Sequence, residues 1–192
     1  MISDPTGDGE RHVAVLGPMG VGKSTTAAAL ARRLGRPHRD GDTDVEARTG
    51  RTGREIASSD GVAALHRLEA EVMIAALDEA TPLVVSAGAS VVEVDVCRDR
   101  LRSAAFVVVL ALPIPLLVER IAQGEHRRPM SVAELESAQE RRGPFFGEVA
   151  DLVLDAARPT DDLVDEIVAQ LGQVSPTRYP SGHGSDGSSS YT

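Results

Sequence analysis

Between a short β-branched run, His12 to Leu16, and an apolar-periodic segment from Ser24 to Leu34 stands Gly17-Pro18-Met19-Gly20-Val21-Gly22-Lys23-Ser24-Thr25. The spacing is G-x-x-x-x-G-K-[ST], and its strand-before, helix-after context is the one in which the pattern carries meaning. Glycines let backbone N–H groups turn inward around anionic oxygens without Cβ clashes. The helix beginning near Ser24 adds the positive end of its dipole. Lys23 supplies a mobile charge for β- and γ-phosphates, and the Ser24 hydroxyl is placed to ligate Mg²⁺. An ordinary glycine-rich turn would not require Lys-Ser at its end. The reading is therefore nucleoside triphosphate binding by Gly17, Gly20, Val21, Gly22, Lys23, Ser24 and Thr25.

The rest of the chain agrees with such a loop. After Ser24–Leu34, which Gly35 and Pro37 stop, helical spacing covers about 62–79 and 116–123. A capping-box pattern, Ser131-Val-Ala-Glu134, opens a helix predicted to end near Arg142. Aliphatic runs at 83–86, 106–112 and 151–155 read as strands, and 161–171 reads as a last helix closed by Gly172. Strands separated by helices imply right-handed crossovers and a parallel sheet covered on both faces. One body, 11–173, is expected between polar, disordered termini at 1–10 and 174–192.

Composition removes several classes of function. Aromatic residues are 3% of the 192-residue chain and the formal net charge is −9, which argues against general nucleic-acid or anionic-membrane binding. The single cysteine, Cys97, excludes an internal disulfide or a thiolate zinc site and reads as structural. With no long apolar run and no basic, apolar N-terminus, the chain reads as cytoplasmic. His12, His38 and His126 lack ligand spacing and are expected on the surface or in loops.

Arg39-Asp40-Gly41-Asp42-Thr43-Asp44 follows the expected end of a second strand. Ligands of parallel α/β sheets sit outside the carboxyl ends of strands. One carboxylate there can hold the metal through its waters, and another can take a proton from an acceptor hydroxyl. Asp40 and Asp42 are the candidates; Asp44 is expected to be exposed or near a helix start.

From here the sequence resembles the shikimate kinase family. Leu34-Gly35, Pro37, Asp40-x-Asp42, Arg48-Thr49-Gly50, Glu55-Ile56, Gly61, Leu68-Glu69 and Glu71-Val72 fall in the family's order, followed by Arg128-Pro129, Arg142-x-Pro144 and Glu148-Val149-Ala150-Asp151. The resemblance implies a three-layer P-loop NTPase fold, nucleoside-monophosphate-kinase-like, with a five-stranded parallel sheet and a lid. It implies a monomer that uses ATP and Mg²⁺ and phosphorylates a hydroxyl of a small cyclic polyol acid. On the same basis Asp40 lies near the metal, Asp42 contacts the acceptor and is the candidate base, and Arg128 is the lid arginine with a catalytic role. Arg120 is the adenine-side arginine, and Glu69 and Arg142 serve the acceptor.

The departures cluster on the acceptor side. Leu65-His66 stands where the family has Phe-Arg, an arginine that grips the acceptor carboxylate. Arg67 is one residue away, which turns a helical side chain by about 100°. The family's triple glycine is Ala87-Gly88-Ala89, a pocket Phe is Ala57, and an aliphatic pair is Met130-Ser131. The favoured expectation is a kinase for a cyclitol or similar polyol lacking the carboxylate. The alternative is shikimate itself, held by Arg142 and a protonated His66. A nucleotide-binding homologue without activity, or a nucleoside kinase, fits less well. The former would have no use for Lys23, Ser24, Asp40 and Asp42 together, and the latter wants a stacking aromatic where Ala57 and Leu65 stand.

Overall fold

The computed structural model describes residues 11–123 and 130–173. Five strands, β1 His12–Leu16, β2 His38–Asp40, β3 Val84–Ser86, β4 Ala105–Ala111 and β5 Leu152–Asp155, form one sheet in the order β2-β3-β1-β4-β5. Every pairing is parallel, as the alternation of strands and helices requires. The described helices are α1 Lys23–Leu34, α2 Gly41–Thr49, α3 Gly53–Ser59, α4 Val62–Leu77, α5 Asp95–Ala104, α6 Ile114–Ala122, α7 Val132–Val149 and α8 Thr160–Leu171, with a 3₁₀ turn over Ala89–Glu93.

The central strands show why both faces are covered. Val13, Val15, Phe106, Val108 and Leu110 enter one core, with Leu30 of α1, Leu117 of α6 and Ile167 of α8. Their alternates Ala14, Leu16, Ala105, Val107 and Val109 enter the other, with Met73 and Leu77 of α4 and Leu101 of α5. Side chains two apart share a face, so near-continuous aliphatic strands make a three-layer sandwich. A smaller cluster of Val45, Ile56 and Val72 ties α2 and α3 to α4.

The structure revises several expectations. Helix α7 does not stop near Arg142 but continues to Val149 with Pro144 inside it. Proline removes one helix hydrogen bond. Phe145 and Phe146 pack on the sheet's second core, and the Phe145 ring lies 4.3 Å from the Arg98 guanidinium, so tertiary packing carries the helix through. His12 is buried, not superficial, and its Nδ1 accepts from the Leu83 N–H at 3.2 Å. His38 is half-buried in β2, not in a loop. Cys97 is fully buried, and burial pushes its thiol up to about 11, as a structural thiol requires. The expected disordered termini fall in 1–10 and 174–192, and His126, Arg127 and Arg128 in 124–129; all lie outside the described residues. Among the described residues no helix is long and apolar enough to cross a membrane.

Candidate active site

The loop from Gly17 to Gly22 leaves the carboxyl end of β1 and enters α1. Gly17 has φ 140, and a Cβ there would collide with the Leu110 carbonyl of β4. Gly22, at φ 106, caps α1 in the left-handed region, so the helix starts directly from the loop. Gly20 and Val21 are buried, while Ser24 and Thr25 at the first turn are exposed. The Lys23 ammonium folds back over the loop and donates to the Pro18 carbonyl at 2.9 Å.

Asp40 ends β2 and caps α2, accepting from the Asp42 and Thr43 amides at 3.1 and 3.3 Å. Ser86 of β3 donates its hydroxyl proton to Asp40 at 2.7 Å, so His38 Nε2, 3.2 Å from the same oxygen, is the donor in that contact. Ser24 also hydrogen-bonds Asp40. Burial pushes the Asp40 carboxyl up, but the bonds from Ser86, Ser24 and Thr43 outweigh it and hold the group below its ordinary range. The two residues expected at the metal are thus brought together across the first turns of α1 and α2. A hydroxyl beside an ionised carboxylate, at the foot of a phosphate-sized loop, is a donor set that fits Mg²⁺ with its waters.

Asp42 lies exposed in the first turn of α2. Asp44 is half-buried and pairs with Arg39 at 2.8 Å, near the helix start and not simply exposed.

Glu69 projects from α4 over Gly88. A Cβ at Gly88 would lie 2.5 Å from Glu69 Oε1, so only glycine leaves room for this carboxyl, and Ser90 donates to its other oxygen. Burial raises the Glu69 pKa, with the charge of Asp42 acting the same way against Ser90, Arg142 and Lys23. Groups from α1, α2, the 3₁₀ turn and α7 therefore act on a single carboxyl of α4. Arg142 comes from the part of α7 beyond Leu135 and pairs through Nε with Glu93 at the end of the 3₁₀ turn.

His66 is half-buried one turn before Glu69. Burial first, then the Arg142 charge, holds it below its ordinary pKa. With no acceptor bound, this disfavours the protonated form that gripping a carboxylate would need. Arg67 points to solvent, as its position on the helix demands. The Met130-Ser131 departure has a structural part as well. Ser131 caps α7 in a full capping box with Glu134, and Met130 packs on the core.

On the opposite side of the loop, Arg120 of α6 donates to the Val21 carbonyl at 3.1 Å and to the Ala156 carbonyl at 2.9 Å. It borders a cavity of about 200 Å³ lined by Val21, Gly22, Thr25, Ala156 and Arg158. Arg158, paired with Glu166, is absent from the sequence reading. Its signal was its place just past β5, at the carboxyl edge of the sheet.

A parallel sheet with a glycine-lysine loop after its central strand, and carboxylates beyond the neighbouring strand ends, defines a P-loop phosphotransferase. Comparison with known proteins narrows the class. The family model described as shikimate kinase matches residues 19–172. A shikimate kinase of Pseudomonas savastanoi pv. phaseolicola is 34% identical over 171 residues, covering 86% of this chain and 99% of that protein. One of Symbiobacterium thermophilum is 33% identical over 167 residues, covering 83% and 95%. A structure of the Acinetobacter baumannii shikimate kinase in complex with shikimate aligns with TM-score 0.74 at 25% identity, over 84% of this chain and 92% of that one. A gluconokinase from Sinorhizobium meliloti, with TM-score 0.65 and 24% identity over 86% and 93%, shares the fold. The chain belongs to the shikimate kinase family. It is an ATP-dependent phosphotransferase acting on a hydroxyl of a small molecule.

Proposed function

We propose that this kinase transfers the γ-phosphoryl group of ATP to a ring hydroxyl of shikimate. The observation that supports the reading is the half-buried Glu69 carboxyl seated on Gly88 and held by Ser90, within electrostatic reach of Asp42, Arg142 and Lys23. Names of relatives at 34% identity, and the shikimate in the A. baumannii complex, support shikimate over the carboxylate-free cyclitol expected from the sequence.

Each residue then has a defined task. Backbone amides of the loop from Met19 to Thr25 hold the phosphates, and Arg120 flanks the base in the cavity beside Val21. Ser24 and Asp40 would hold Mg²⁺, which when bound neutralises charge on the phosphate oxygens. Lys23 leaves the Pro18 carbonyl to meet charge developing on the transferred group. Asp42 accepts the proton of the attacking hydroxyl, and Glu69, seated on Gly88, accepts a hydrogen bond from a neighbouring hydroxyl. Arg142 faces the acceptor carboxylate, with His66 as a weaker donor. Weakening one charge-assisted bidentate contact costs roughly 10- to 150-fold in affinity, which leaves binding intact but looser.

The Glu93–Arg142 pair favours a second reading, a polyol without the carboxylate, because the acceptor-side arginine is already partly neutralised. Coupled ADP release with shikimate and with carboxylate-free cyclitols, and ³¹P NMR of the products, separates the two. Shikimate turnover with micromolar KM upholds the first. Cyclitol turnover with no shikimate 3-phosphate replaces it.

A further inference from the structure

We infer that Glu93 is a specificity-determining residue, an internal carboxylate bound to Arg142 that competes with the acceptor's own carboxylate. The inference rests on the shikimate reading above and deepens it. Arg142 side-chain exposure is 17% and that of Glu93 is 26%, so the pair is shielded enough for its charges to matter. Glu93 Oε1 also lies 3.4 Å from Arg141 Nε. The carboxyl is anchored by geometry, since it ends the Ala89–Glu93 turn, whose Ser90 holds Glu69. One rigid turn therefore carries a support for the acceptor hydroxyls and a rival for the acceptor carboxylate. Burial pushes the Glu93 carboxyl up, and Arg142 and Arg141 more than reverse this, so Glu93 is ionised wherever a kinase assay is run.

The physical consequence is specific to charge. An arginine has five donors, and Glu93 takes one at Nε. An incoming carboxylate must bind the remaining edge, against the repulsion of an anion already on the same guanidinium. A neutral substituent at that position meets no such opposition. His66 offers little to offset it, because burial first, and then Arg142 and Arg141 against the pull of Glu93, disfavour its charged form. The pocket thus accepts shikimate with a reduced preference for its negative charge and tolerates neutral polyols of the same shape.

The test compares shikimate with its neutral carboxamide in wild type and Glu93→Gln. Gln keeps an oxygen for Arg142 and removes the charge. ADP release gives KM and kcat for both acceptors, and KM for ATP with the melting temperature reports folding. Expected is a fall in shikimate KM of about tenfold or more, the scale of one charge-assisted contact, with carboxamide KM unmoved. Glu93→Ala, which removes the oxygen as well, should shift the shikimate-to-carboxamide preference the same way. Shikimate turned over by wild type with an unchanged preference in both variants overturns the role of Glu93 and leaves the shikimate reading standing. A rise in shikimate KM in Glu93→Gln also overturns it, since Glu93 then only positions Arg142. Failure of wild type and both variants to phosphorylate shikimate, with ATP binding intact, overturns the shikimate reading and this inference with it.

Discussion

In the proposed reaction Asp42 and Gly88 serve the acceptor in different ways, and single substitutions separate them. Asp42→Asn removes the proton acceptor while keeping size and the α2 first turn. It should lower kcat by about 10²- to 10⁴-fold, with KM for ATP unchanged, in a coupled ADP-release assay. Gly88→Ala leaves every reacting group in place but puts a methyl group 2.5 Å from Glu69 Oε1. Glu69 is tied down by Ser90 and cannot yield freely, so acceptor KM should rise by roughly 10- to 150-fold while ATP KM holds. A matching rise in ATP KM would show that the loop, not the acceptor pocket, had moved. Lys23 and Ser24 were legible from the sequence because the loop motif prescribes their chemistry in consecutive positions, and Asp40 because it stands at the expected end of the second strand. Glu93 was not, because nothing local to residue 93 announces that a helix fifty residues later will bring Arg142 to it.

Helix α7 joins a well-capped start to a functional far end. Ser131 accepts from the Glu134 amide at 3.2 Å and Glu134 returns to the Ser131 amide at 2.8 Å. Ser131→Ala removes half of this exchange, worth about 1 kcal/mol, and should lower the melting temperature by about 2–4 °C without altering kcat. The capping box was readable because it is a four-residue pattern. The helix end was not, since Pro144 reads locally as a stop and only the packing of Phe145 and Phe146 overrides it. Strand β3 was readable from its aliphatic run, whereas β2 was expected only from its place before Asp40. Its three residues, His38, Arg39 and Asp40, carry no apolar periodicity, and its identity as a strand comes from pairing with β3.

For the whole molecule, acid should weaken the fold in two stages. His12 and His38 are held neutral, chiefly by burial, with pKa values below the ordinary 6.5. The unfolded chain therefore takes up their protons first, and stability is lost as pH falls from about 6.5 toward the folded values. Asp40 and Glu93 have folded pKa values below the ordinary 3.8 and 4.5, because hydrogen bonds and arginine charge outweigh burial. Their contribution is present above those values and is lost as pH falls through the depressed ones. Glu69 has the opposite sign: with a raised pKa it costs stability at neutral pH, so Glu69→Gln should raise the melting temperature at pH 7 and change it little at pH 4. Melting temperatures from pH 8 to pH 3 check all three. A flat profile above pH 5 would contradict the buried neutral histidines.

By itself the amino-acid sequence determined the parallel three-layer architecture, the phosphate loop and the carboxylates after β2, because each follows from local periodicity or from a motif a few residues long. Which charges meet around Glu69 was decided by the tertiary structure alone. The lowered pKa of His66, the seat of Glu69 on Gly88 and the neutralisation of Arg142 by Glu93 depend on desolvation and on distances between separate elements. Those quantities exist only once the sheet has set its helices side by side.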